Sequence, residues 1–179
     1  MEAVIIRNTI IFSEYSGYSS SFRCKGFNKD ILLFMNGKTE RVPCDDILAI
    51  DAIPFGLEKR KQFSVVPVVR ELAKCRAGLS YEGNKPFATG NWGCGIYGGD
   101  TQLKAVIQWL ATSAAGKNMI FYPFDDKETA RLPILVSLAL SRGLTVGKLF
   151  RLLVKGLNIG FIREGSCLDF LIRSIEGLT

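Results

Sequence analysis

The sequence predicts an α/β fold with mixed sheet order, and three observations carry that prediction. Short apolar runs of strand length alternate with segments whose apolar residues recur at helical spacing. A strand, a glycine-rich loop and a helix follow one another from Phe87 to Ala115. The 179 residues, 47% of them hydrophobic, suffice for one domain spanning residues 1–179. A chain of this length buries roughly 70% of the surface it exposes when unfolded.

Residues 3–6 form an apolar run that reads as a buried strand, followed by a polar, aromatic loop, SEYSGYSSSF, at 13–22. Short strands are predicted at 22–24 and 30–34 around a turn at Gly26, with Asn36-Gly37 as a second turn. ILAIDAI at 47–53 reads as an interior strand. Residues 65–77 have helical spacing, with Pro67 in the first turn and Gly78 at the stop. A polar turn at 82–85 leads to a three-residue strand at 87–89 and the glycine loop. Asp100 then caps a helix reaching about Ala115, with Gly116 behind it. MIFYPF at 119–124 is the next strand. A helix is expected from Asp126, interrupted or kinked at Pro133 and closed by Arg142-Gly143. Thr145 caps a further helix to about Lys155, and 167–175 is the last.

Composition removes several kinds of chemistry. The chain has no histidine, which excludes Ser/His/Asp and Cys/His nucleophilic arrangements and every histidine metal site. Its five cysteines, Cys24, Cys44, Cys75, Cys94 and Cys167, form no CxxC pair, so neither a disulfide framework nor a zinc site is expected. Neither a metal nor a redox cofactor is expected. Apolar runs fall short of the roughly 20 residues that cross a bilayer, and the N-terminus lacks a secretory pattern, so no membrane partner is expected and an intracellular chain with reduced thiols is. The net charge of +6 favours an anionic partner without choosing one.

Between Phe87 and Asp100, FATGNWGCGIYGGD, five of the fourteen residues are glycine, and a helix starts where the loop ends. Backbone N–H groups in such a loop can approach a ligand closely, and a helix N-terminus adds unpaired donors and positive potential. An anionic nucleotide is the expected guest. Gly93, Gly95 and Gly98 satisfy a GxGxxG spacing. The preceding strand is too short, however, and no acidic residue follows at the dinucleotide-binding distance. A P-loop is excluded because no Gly-Lys-Ser/Thr follows.

The segment TGNWGCGIYGGDTQLKAVIQWLA, Thr89 to Ala111, resembles the GNWGCG-F-GGD-LKA-IQ segment of poly(ADP-ribose) glycohydrolases. The resemblance extends to YSGY at 15–18, ILAIDAI, MIFYPF and LTVGKLF at 144–150. It implies a macrodomain-like α/β/α sandwich with a mixed sheet, N-terminally truncated relative to the family. It also implies binding of ADP-ribose or poly(ADP-ribose) with no cofactor, nuclear or cytoplasmic residence, and no direct nucleic-acid partner. Carried over by motif, Asn91, Trp92, Gly93, Cys94, Gly95 and Ile96 wrap the ligand's diphosphate and terminal ribose. Tyr97 stands where the family has phenylalanine against the ribose. Tyr18 corresponds to a substrate-contacting tyrosine and Phe124 to an aromatic on the adenosine side, with core packing as the alternative for both.

The family's acid catalysis resides in a triple-glycine segment followed by Gln-Glu-Glu, and neither occurs in these residues, where every glutamate stands alone. Cleavage of a glycosidic bond needs an acid to protonate the departing oxygen and a carboxylate to stabilise the sugar cation or activate water. Glu14 and the Asp45-Asp46 pair are the candidate substitutes, and a surface position and a solvated turn are the stronger readings of them. These residues are therefore expected to bind rather than to cleave, either as part of a glycosidase or as an ADP-ribose reader.

Overall fold

A computed structural model describes residues 3–10, 13–17, 19–27, 45–80 and 85–178. The predicted strand at 30–34, the turns at Asn36-Gly37 and 82–84, and Tyr18 lie outside the described residues. The chain divides into two compact units, Val4–Ala49 and Ile50–Thr179, the latter including Met1–Ala3.

In the smaller unit β1 (Val4–Thr9) pairs antiparallel with β4 (Asp45–Ala49), and β2 (Ser13–Ser16) with β3 (Arg23–Phe27). The β1–β4 register shifts between Ile6 and Thr9, where Asn8 takes φ 55° and its N–H donates to Asp46 Oδ1 at 3.0 Å. A bulge of this kind suits asparagine, which tolerates the left-handed region. The stretch 13–22 is thus not all loop: its first four residues are strand. Gly26, expected in a turn, sits instead inside β3 at φ 116°, where the pairing with β2 shifts between Glu14 and Tyr15. Tyr15 and Phe22 stack with ring centroids 5.7 Å apart.

The larger unit contains α1 (Val65–Leu79), β5 (Phe87–Thr89), α2 (Thr101–Ala114), β6 (Met119–Phe121), α3 (Leu132–Ser141), α4 (Val146–Asn158) and α5 (Cys167–Glu176). Strands β5 and β6 pair in parallel, so the described strands include both pairing senses. Helix α2 is the centre of this unit. Ten of its fourteen residues are buried, from Gln102 to Thr112, and it packs against the other four helices. Around it Val68, Leu79, Leu135, Leu153, Leu168, Leu171 and Ile175 are almost wholly excluded from water. Each such side chain contributes about 1.5–3 kcal/mol of transfer free energy.

Three expected boundaries move, each for a local reason. The strand at 47–53 stops at Ala49, because the next backbone groups are taken by side chains rather than by a neighbouring strand. Ile50 O accepts from Trp92 Nε1 at 3.2 Å, and Ile53 N–H donates to Glu71 Oε1 at 3.0 Å. The strand at 119–124 stops at Phe121: Pro123 has no N–H to give a ladder, and Phe124 adopts φ 53°. Asp126 opens a turn instead of a helix, its Oδ1 accepting from Glu128 N–H at 2.9 Å. Helix α3 begins six residues later at Leu132, with Pro133 in its first turn, where the missing N–H costs nothing. The expected caps do form. Asp100 Oδ1 accepts from Leu103 N–H at 2.8 Å and Thr145 Oγ1 from Lys148 N–H at 3.2 Å.

Candidate functional site

The loop from Gly90 to Asp100 joins β5 to α2 through a series of tight internal turns. Trp92 N–H donates to Gly90 O, Cys94 N–H to Asn91 O, Gly98 N–H to Gly95 O and Gly99 N–H to Gly93 O, at 2.8–3.1 Å. Surrounding elements then pin it. Phe55 and Gly56 N–H both donate to Tyr97 O, at 2.9 and 3.3 Å. Buried Gln62, on a 3-10 turn at Lys59–Gln62, donates to Gly98 O and accepts from Asp100 N–H at 2.6 Å. Gln108 of α2 donates to Gly90 O at 3.1 Å and accepts from Thr89 Oγ1 at 2.5 Å. Asp100 Oδ2 also accepts from Gly165 N–H at 2.9 Å, tying the loop's end to the turn before α5. Burial holds the Asp100 carboxyl above its ordinary range against the pull of those two N–H groups.

Beneath the loop lies a buried ion pair, Lys104 with Glu71, both at most 2% exposed. The Lys104 ammonium faces the Trp92 ring at 4.3 Å and the Phe55 ring at 5.9 Å. The loop's glycines divide accordingly. A Cβ on Gly93 would stand 2.6 Å from Ala52 Cβ and 3.0 Å from Lys104 Nζ; on Gly99 it would meet Gly93 O at 2.7 Å and Lys104 Cε at 2.8 Å. These two glycines let the loop close on the lysine. At Gly95 the corresponding position has no atom within 4 Å. Among the described residues, the N–H groups of Gly95, Ile96 and Tyr97 make no hydrogen bond. Three consecutive unpaired N–H groups beside open space are an arrangement of the kind that accepts an anion.

Asn91 Nδ2 donates to Pro123 O at 3.2 Å, while its Oδ1 is buried without a partner. Phe124 is brought to the same end of the loop. Its ring lies 3.0 Å from the Cβ position of Gly90, yet the side chain is 79% exposed. Core packing is therefore not its role. Ile96 is almost fully exposed and Tyr97 partly so. Trp92 turns inward over Lys104. Cys94 is half-buried, its Sγ near Trp92 O at 3.5 Å, and burial pushes its thiol up to about 12. On the other side, Gly95 and Ile96 border a cleft of 370 Å³ with Leu57, Lys59, Asp100 and Glu164.

The candidate substitute acids lie on strands, Asp45 and Asp46 opening β4 rather than a solvated turn. Asp46 is occupied by Asn8 N–H, and Glu14 is an exposed strand residue; both belong to the smaller unit. Sequence reading missed Glu71, Lys104 and Gln62. The available signal was a charged or amide residue inside otherwise apolar helical spacing, as in LKAVIQWLA.

The family model described as poly(ADP-ribose) glycohydrolase, macro domain fold, matches residues 1–131. The chain belongs to the poly(ADP-ribose) glycohydrolase family. Among its relatives, the probable poly(ADP-ribose) glycohydrolase 2 of Arabidopsis thaliana is 29% identical over 86% of this chain and 37% of its own length. Poly(ADP-ribose) glycohydrolase 1 of Caenorhabditis elegans is 28% identical over 86% of this chain and 21% of its own length. Poly(ADP-ribose) glycohydrolase 1 of Arabidopsis thaliana is 44% identical, over 38% of this chain. The chain thus spans little more than a third of the first relative and about a fifth of the second. The macro domain fold of the family is the α/β class expected from sequence.

The buried thiols make a chemical prediction. Cys75 and Cys94 are both held up near 12 by desolvation, and Cys167, wholly buried, is also raised. Mass-spectrometric mapping after alkylation at pH 7.5 should show exposed Cys24 modified before these three. Rapid native modification of Cys94 would contradict the packing.

A second prediction concerns acid. Asp51 is held down at about 2 by hydrogen bonds from Lys74 and Arg70, which fasten the segment at residues 50–53 to α1. Its folded-state value lies below the unfolded one, so this contribution is present above pH about 4 and is lost as pH falls towards about 2. Asp51→Asn should flatten the acid limb of a stability–pH profile in that window and leave its alkaline side unchanged.

Proposed function

We propose that the glycine loop binds the ADP-ribose units of poly(ADP-ribose). The observation that carries this reading is the row of unpaired N–H groups at Gly95, Ile96 and Tyr97 beside the open space over Gly95. In this reading the diphosphate occupies that row, with Gly93 and Cys94 shaping the turn and Trp92 bracing it from within. Tyr97 faces the ribose. The exposed Phe124 ring supplies a stacking surface for the adenosine, and Tyr18 a second aromatic contact. Asn91 Oδ1, buried and unpaired, accepts from a ligand hydroxyl. The basic turn at Lys59, Arg60 and Lys61, pinned to the loop through Gln62, adds positive potential for a polymer with two phosphates per unit. Nuclear or cytoplasmic residence and a single functional domain belong to the same reading.

Cleavage is a separate matter. The relatives are named as glycohydrolases, but these 179 residues contain no Gln-Glu-Glu segment. Of the acids near the loop, Glu71 pairs with Lys104, Asp100 caps α2 and the exposed Glu164 faces Lys59 at 3.9 Å. These residues alone therefore bind and do not hydrolyse. Incubation of the purified chain with labelled poly(ADP-ribose) should release no free ADP-ribose. Release that disappears in an Asn91→Ala variant would place a catalytic acid within these residues and overturn this half of the proposal.

A further inference from the structure

Among the described residues Lys104 is the largest side chain to be fully buried, and its surroundings are unusual for a lysine. It lies one turn into α2, directly behind the loop rather than in it. Its ammonium is paired with Glu71 of α1, whose Oε1 also accepts from Ile53 N–H at 3.0 Å. The Trp92 ring also lies 4.3 Å from the ammonium, and the loop backbone crowds the side chain, a Cβ on Gly93 standing 3.0 Å from Nζ and one on Gly99 2.8 Å from Cε. Two neighbouring elements and three loop residues thus converge on one cation. A hydrophobic side chain of equal length would fill the volume at lower desolvation cost. What the ion pair adds is a fixed seat for Trp92 and a separation of charge beneath a loop whose N–H groups at Gly95, Ile96 and Tyr97 stand unpaired.

We infer that Lys104 is a positioning residue for the anion site. It holds the loop open-handed through Trp92 and adds positive potential to the N–H groups of Gly95, Ile96 and Tyr97. Glu71 orients that lysine through their ion pair. The inference rests on the proposed ADP-ribose reading for its ligand, but the loop geometry itself can be read without ligand.

Removing one partner alone leaves a buried charge and threatens folding, so the test uses the matched pair Glu71→Met/Lys104→Met in the full chain, in a Trp109→Phe background where Trp92 is the only indole. Thermal melting, Trp92 emission and ADP-ribose titration are measured on both proteins. The double methionine variant should melt no more than about 12 °C below its parent, the cost of the Ile53 N–H it leaves unpaired. Its Trp92 emission should change in intensity, because the ammonium over the ring is gone, and ADP-ribose affinity should fall at least tenfold. A merely structural pair would restore stability and affinity together. Unchanged emission, or affinity within threefold of the parent, overturns the inference. So does a double variant that fails to fold, since the pair would then be needed for the core itself. If the parent binds no ADP-ribose, the ligand reading fails instead, and the emission change alone decides whether Lys104 seats the loop.

Discussion

Replacing Glu71 by alanine should lower the stability of the larger unit by about 3–5 kcal/mol, the cost of stranding a buried ammonium without its counter-ion. The carboxylate is 2% exposed and serves Lys104 and the Ile53 N–H together. Its loss therefore leaves a charge and a backbone donor unsatisfied at once. For a chain of this size each kcal/mol moves the melting temperature by roughly 2–4 °C, so a fall of about 6–20 °C is expected. Glu71→Gln should fall between wild type and alanine, because an amide oxygen still accepts from Ile53 while the charge is lost. Urea denaturation followed by tryptophan emission reads both, since Trp92 and Trp109 lie in this unit. A Glu71→Ala variant within about 1 kcal/mol of wild type would mean that water reaches Lys104 and that the loop's foundation is not dry.

The second large effect separates two glycines that look alike in sequence. Gly95→Val should leave the fold intact, because no atom stands within 4 Å of the new Cβ and the residue does not need the left-handed region. The side chain would instead cover the N–H row. Hydrogen bonds to a charged group contribute about 1.5–3 kcal/mol each, so losing even one or two from a diphosphate weakens binding by about a hundredfold. Gly99→Ala should show the reverse pattern. Its Cβ would collide with Gly93 O and Lys104 Cε, and the penalty falls on stability before any ligand is added. Melting curves of the two variants, read beside their ADP-ribose affinities, resolve the assignment. Equal losses of stability would contradict it.

Much of the larger unit was legible in the sequence because local chemistry and tertiary outcome agree there. Asp100 and Thr145 cap where capping residues should, and the strand–loop–helix unit forms at Phe87 to Ala114. The errors fall where a distant side chain decides a backbone's fate. Residues 50–53 have strand composition, yet Trp92 and Glu71, far along the chain, take their backbone groups. Pro133 reads as a helix breaker until the true start at Leu132 is known. At the site, motif spacing marked the loop but not the division of labour within it. That Gly93 and Gly99 face a lysine while Gly95 faces open space depends on α1 and α2 meeting beneath the loop, which no local pattern encodes. In sequence Glu71 and Lys104 stand out only as charged residues inside apolar helical spacing, and their pairing depends on that same meeting.

The central claim is that the unpaired N–H row is the binding site for ADP-ribose, and calorimetric titration of ADP-ribose into the wild-type chain and Gly95→Val tests it most directly. Saturable one-to-one binding by the wild type, weakened about a hundredfold in a variant that melts at the same temperature, is the expected result. Absence of binding to the wild type, or equal affinity in the two proteins, would contradict the claim.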